Sequence, residues 1–127
     1  MKKIIIDLDG TLTLDIPQID YKDKPLNKEV YQQLLKYKEM GFHITIFTSR
    51  NMNTHKGNLA KIQTQTLPGI LEWLQKHKVP YDEIIVGKAW CGFEGFYIDD
   101  KAIRPSEFVS LDYPQILELL EKEKVNV

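Results

Sequence analysis

Three consecutive β-branched residues, Ile4-Ile5-Ile6, lead directly into Asp7-Leu8-Asp9-Gly10-Thr11. So short an apolar run is read as a buried strand, because a helix needs a longer periodic stretch. Gly10 permits a sharp turn after it. Two carboxylates are thereby delivered to the carboxyl end of a strand, where open α/β sheets hold their ligands. Anionic groups this close repel unless a cation offsets them, and Mg²⁺ takes oxygen ligands of this kind.

The rest of the chain repeats the arrangement. Asn27 is suited to cap a helix carrying Val30, Tyr31, Leu34 and Leu35 at helical spacing, and Gly41 ends it. Residues 42–47 read as a second strand, ending in Thr48-Ser49-Arg50. A helical region follows from Leu59 to Leu74, with Thr66 and Pro68 placed for an internal restart. Residues 83–86 form a third strand ending at Gly87-Lys88, and residues 96–98 a fourth ending at Asp99-Asp100. A last helix is expected from about Pro114. The alternation predicts a three-layer, Rossmann-like doubly wound parallel sheet with right-handed crossovers and helices on both faces. In such a sheet the polar strand ends lie along one edge, so Asp7, Asp9, Thr48, Lys88, Asp99 and Asp100 are expected to share one crevice.

Composition bounds the function. The 127 residues fit a single domain, 1–127. A formal net charge of −1 gives no basic footprint for nucleic acid or an anionic membrane. Lys2 and Lys3 precede an apolar run, but Asp7 interrupts it too early for a secretory signal or a membrane span. Cys91 is the only cysteine, so neither an internal disulfide nor a cysteine zinc site is expected. A cytoplasmic setting is the expectation.

The residues suit phosphoryl transfer. A carboxylate can attack phosphorus to give an aspartyl-phosphate, provided cations offset its repulsion from the phosphoryl group. Lys88 has the charge for that, and Thr48 with neighbouring N–H groups has the donors for a phosphate oxygen. Asp9, two residues on, shares a face with Asp7 in an ideal strand but lies roughly 7 Å farther along it. It reaches a leaving group only if the chain leaves β geometry at Leu8–Gly10, and as a general acid it needs a raised pKa.

With those residues in place, the chain resembles the haloacid dehalogenase (HAD) superfamily of phosphohydrolases. Asp7-Leu8-Asp9-Gly10-Thr11 matches the first signature of that family, Thr48 the second, Lys88 the third and Asp99-Asp100 the fourth, in the same order. The resemblance implies Asp7 as nucleophile and Asp9 as general acid/base. It implies Mg²⁺ held by the Asp7 carboxylate, the Asp9 carbonyl and Asp99, with Asp100 helping directly or through water, and phosphate bound by Thr48, Ser49 and Lys88. A narrower likeness, in Gly87-Lys88-Ala89-Trp90 and Tyr97-Ile98-Asp99-Asp100-Lys101, is to a small capless group associated with capsular-polysaccharide and sugar biosynthesis in bacteria. The segment after the first strand is too short for a large cap domain, so the expected site is open or covered by another subunit of a homo-oligomer. Arg50, Asn51, His55, Lys56, Lys101 and Arg104 are then candidates for substrate contact.

The expected substrate is a small phosphorylated metabolite, such as a sugar or polyol phosphate. A phosphoprotein or nucleic-acid end is the alternative, given an open site. A receiver-like phospho-acceptor module also combines an acidic pair with Asp, Thr and Lys. In a receiver, however, the acidic pair is on the first strand and the acceptor on a central one, the reverse of the order here.

Overall fold

The computed structural model describes residues 2–124, in two compact units, Met1–Trp90 and Cys91–Val127. The first unit holds a three-stranded parallel sheet, β1 (Lys3–Ile6), β2 (His43–Thr48) and β3 (Glu83–Val86), in that spatial order. Ile6 pairs with Ile46, and Thr48 with Val86, so β2 and β3 end level and β1 ends two residues before them. Asp82 fastens the other end: its N–H donates to the Ile44 carbonyl at 2.8 Å and its carboxylate accepts the Ile44 N–H at 2.8 Å.

Helix α1 (Lys28–Glu39) starts where expected, with the Asn27 side chain accepting from the Val30 N–H at 3.4 Å. It buries Val30, Leu34 and Tyr37 and gives way at Gly41, whose φ of 90° favours glycine. The second helical region is continuous but locally widened. Helix α2 (Leu59–Lys61) passes through one π-helical turn, Ile62–Thr66, into α3 (Leu67–Lys76). Pro68 has no N–H for the regular ladder, and the wide turn accommodates that loss. Helix α3 buries Ile70, Trp73 and Leu74, and the Trp73 indole donates to the Lys24 carbonyl at 2.9 Å. That bond fastens the segment between β1 and α1, which is itself closed by a bridge between Thr13 and Leu26.

Right-handed crossovers in the order β1-β2-β3 carry both connections over the same face of the sheet. Ile6, Ile44 and Ile46 lie buried on that face. The opposite face carries Ile5, 63 % exposed, and Ile85, 42 % exposed. The first unit is therefore two layers, a sheet with helices on one side.

In the second unit, α4 (Pro105–Ser110) and α5 (Tyr113–Glu121) bury Phe108 and Ile116. Asp112 and Gln115 cap α5 reciprocally, each side chain accepting the other's N–H at 2.9 Å. Helix α5 confirms the expected last helix. Helix α4 went unread, although Pro105 at its first turn and the Glu107 carboxylate accepting the Arg104 N–H at 2.8 Å are ordinary start signals. The expected fourth strand is corrected: among the described residues the sheet has three strands, and residues 96–98 form none. A strand exists only as a member of a ladder, and Phe96 and Ile98 stand 76 % and 89 % exposed instead.

Candidate active site

β1 ends at Ile6, and the chain leaves extended geometry immediately afterwards. The Leu8 carbonyl accepts the N–H groups of Thr11, Leu12 and Thr13 at 3.2, 2.9 and 3.0 Å. Leu8 and Leu12 are fully buried, and Gly10 turns with φ 82°. A buried leucine between two aspartates thus anchors a tight loop, with its own carbonyl as hub. This departure from β geometry leaves Asp9 close enough to Asp7 for its charge to raise the Asp7 pKa.

The Asp7 carboxylate accepts the Thr11 hydroxyl at 3.0 Å and lies 3.6 Å from the Lys88 ammonium. Burial pushes its pKa above the ordinary carboxylate value. Lys88, the Thr11 hydroxyl and the Leu8 backbone N–H oppose that shift, and Asp9 adds to it. Lys88 arrives from β3 because its N–H donates to the Thr48 carbonyl at 3.1 Å. Thr48 is buried, and its hydroxyl oxygen accepts the Arg50 N–H at 3.1 Å, which leaves the hydroxyl proton able to donate elsewhere. Ser49 follows Thr48 at the strand end, its carbonyl accepting the Met52 N–H at 3.0 Å.

Asp9 has partners that the sequence reading did not assign to it. Arg50 grips its carboxylate with both arms, Nε to Oδ2 at 2.9 Å and Nη2 to Oδ1 at 2.8 Å. Lys24 lies 3.9 Å away. The Arg50 side chain is 3 % exposed, and its guanidinium stacks 4.2 Å from the Tyr21 ring centre. Arg50, a candidate for substrate contact, is thus engaged inward as the clamp on Asp9. It also lines a pocket of about 190 Å³ with Tyr21, Lys22, Asn51, Gln65 and Thr66. Asn51 holds the pocket's rim, accepting the Thr66 hydroxyl at 2.7 Å. His55 and Lys56 lie in the turns of residues 51–57 that lead to α2.

Asp99, Asp100, Lys101 and Arg104 belong to the second unit, where all four are exposed. Asp99 accepts the Lys101 N–H at 2.8 Å. Among the described residues no three His, Cys, Asp or Glu side chains form a metal-holding group. The donors on the first unit are of the type a hard cation takes: the half-buried Asp7 carboxylate and the Asp9 carbonyl, on which none of the described loop hydrogen bonds ends. Oxygen donors alone suit Mg²⁺ rather than a softer metal.

Gly87 decides where Lys88 goes. Its φ is 87°, and a Cβ there would meet Leu59 Cδ2 at 2.5 Å. Leu59 can move its tip aside, so the backbone angle dominates the cost. Gly87→Ala is expected to lower unfolding free energy by about 1–2 kcal/mol in urea titration. The same substitution should move the Lys88 ammonium away from the Asp7 carboxylate, which it approaches to 3.6 Å.

Neither a protein-family model nor a curated protein matches the sequence. Among solved structures, a Vibrio cholerae protein known from a crystal structure is 56 % identical, with a TM-score of 0.94 over 98 % of this chain and 100 % of that one. A chain of a Pnkp1/Rnl/Hen1 complex aligns at 22 % identity and a TM-score of 0.52, over 87 % of this chain and 34 % of that one. This second likeness is one of fold, a mixed α/β arrangement around a parallel sheet.

Proposed function

This chain belongs to the same family as the Vibrio cholerae protein, and we propose from its own chemistry that it is a HAD-type phosphatase that hydrolyses a phosphate monoester of a small metabolite with Mg²⁺. One observation carries the reading. Asp7, Lys88, Thr48 and Asp9 come from three different strand ends, and Asp7 and Lys88 face each other at 3.6 Å.

In this reading an Asp7 carboxylate oxygen attacks phosphorus, the bond to the leaving oxygen breaks, and an aspartyl-phosphate forms. Lys88 offsets the charge of both nucleophile and phosphate, and the Thr48 hydroxyl donates to a phosphate oxygen. Asp9 gives its proton to the departing alkoxide, then takes one from the water that attacks the aspartyl-phosphate. To do so it exchanges its Arg50 contact for the substrate, which makes Arg50 a positioning residue. Asp7, the Asp9 carbonyl, Asp99 and Asp100 are the residues that would hold Mg²⁺, which supplies compensation for the anionic phosphoryl group. A sugar or polyol phosphate suits the near-neutral chain and the pocket of about 190 Å³ beside Arg50, where Lys22, Asn51 and Gln65 offer polar groups.

The test is phosphate release from an aryl phosphate and from a panel of phosphorylated sugars and polyols, with Mg²⁺ and with chelator. Release that depends on Mg²⁺ is expected. Asp9→Asn is expected to lower kcat about 10²–10⁴-fold, with phosphate retained on the chain and visible as a mass shift. No metal-dependent release from any substrate in the panel would overturn the reading.

A further inference from the structure

Arg50 is a buried cation with donors to spare. Its clamp on Asp9 employs one edge of the guanidinium, Nε and Nη2. Among the described residues nothing accepts from Nη1 or from the second N–H of Nη2. Nη1 is not among the fully buried polar atoms that lack a hydrogen bond. This edge is therefore open to solvent, although the side chain as a whole is 3 % exposed. The space beside it is the pocket of about 190 Å³, which Arg50 lines together with Tyr21, the ring on which it stacks. No aspartate or glutamate lines that pocket, and Lys22 brings a second positive charge to it. Of the charged groups in contact there, the cations Arg50, Lys24 and Lys22 meet the anions Asp9 and Asp15, so one positive charge is left over.

Gly69 keeps the pocket open. It lies inside the continuous helix that runs from α2 into α3, where glycine weakens a helix relative to alanine. Its φ is outside the left-handed region, and a Cβ built on it would meet nothing within 4 Å. Neither the backbone nor a close neighbour therefore calls for glycine here. What a side chain would occupy is the pocket, which Gly69 lines. Gln65, four residues earlier, lines it too, and its amide makes no hydrogen bond among the described residues.

We propose that this pocket is an anion site and that its ligand is the carboxylate of a hydroxy acid. The open end of the guanidinium is planar and presents parallel N–H groups, which a carboxylate meets with both oxygens. Lys22 adds charge, and the Gln65 amide is available to a hydroxyl beside the carboxylate. One surplus positive charge matches a carboxylate, whereas a phosphate monoester carries about −1.5 to −2 at neutral pH. The consequence for substrate rests on the phosphatase reading; the anion site itself does not. When Asp9 gives up Arg50 to serve the leaving oxygen, a buried guanidinium loses its anion, which is a costly state. A carboxylate at the far end of the leaving group holds the other edge of Arg50 through that step. The favoured substrates are thus phosphorylated sugar acids and polyol acids rather than their uncharged counterparts.

Amide NMR of the 14.8 kDa chain, titrated with gluconate and with sorbitol at equal ionic strength, decides the anion site. Gluconate should saturate with shifts centred on Asn51, Thr66 and Gly69. It should bind at least about 10-fold more tightly than sorbitol, as a charge-assisted pair does relative to a neutral one. Equal binding overturns the site, and so do shifts confined to Asp7 and Lys88. Inorganic phosphate that binds at the same residues as tightly as gluconate overturns the carboxylate assignment. Gly69→Leu should weaken gluconate at least about 10-fold by occupying its space. Leucine favours a helix more than glycine does, so this variant should melt at or above the wild-type temperature. A lower melting temperature, or an unchanged affinity, overturns the pocket as the place of binding. With Mg²⁺, kcat/KM for 6-phosphogluconate should exceed that for sorbitol 6-phosphate at least about 10-fold. Equal values, or turnover of an aryl phosphate but of neither of these, overturn the substrate class. No release from any of the three overturns the phosphatase reading instead, and the titration still decides the anion site.

Discussion

Asp7→Asn is expected to lower Mg²⁺-dependent turnover of an aryl phosphate by at least about 10³-fold while leaving the protein folded. The two halves of this result have one physical source. Asp7 is half-buried, and its pKa lies above the ordinary carboxylate value chiefly because burial disfavours the charge. Between the unfolded and folded pKa values the native state binds more protons than the unfolded chain. Wild-type stability is therefore fullest below the unfolded value and declines as pH rises through the folded one. At neutral pH the carboxylate proposed as the nucleophile is a burden on the fold. Asparagine removes the charge while keeping an acceptor for the Thr11 hydroxyl. The variant should accordingly melt at or above the wild-type temperature at pH 7, by about 1–4 °C, with the gap narrowing towards pH 4. Thermal melts across pH 4–8 beside the phosphate assay measure both. Retained turnover excludes Asp7 as nucleophile, and a widening gap at low pH refutes the electrostatic account.

Arg50→Met is expected to cost about 2–4 kcal/mol of unfolding free energy in urea. Methionine keeps some of the apolar stem but leaves the Asp9 carboxylate with Lys24 alone, 3.9 Å away, and removes the stacking on Tyr21. Asp9 is 24 % exposed, so water recovers part of the loss, which sets the figure below that of a fully buried pair. Arg50→Lys should rescue only part of it, because an ammonium cannot reproduce the two-armed grip. Adding Asp9→Asn to Arg50→Met should cost less than the two single losses together, since the pair is already broken. Strict additivity would mean that Arg50 and Asp9 do not support one another. A kcat that falls further than KM rises would mark Arg50 as positioning Asp9 rather than holding substrate.

Much of this architecture was legible in the chain because its signals are local. The isoleucines before Asp7, the Asn27 cap, Gly41 and the strand that ends at Thr48 each declare themselves within a few residues. The placement of Lys88 followed from the same logic, a strand end after a glycine. The grip of Arg50 on Asp9 was not legible, because it joins residues 41 positions apart and depends on the side-chain rotamers of a buried arginine. Sequence alone made Arg50 look like a basic residue waiting for an anion; the anion it holds is already in the chain. The fourth strand failed for a related reason. Phe96-Tyr97-Ile98 has the composition of a strand, but strand formation is settled by a neighbour that composition does not name. Helices on both faces were inferred from alternation, whereas the strand order places both crossovers of the first unit on one side.

The division at Trp90 bears on how the protein is made. Among the described residues every strand and both crossovers precede it, so Asp7, Lys88 and Thr48 belong to the part synthesised first. At about 5–20 residues per second, the remainder trails by roughly two to seven seconds.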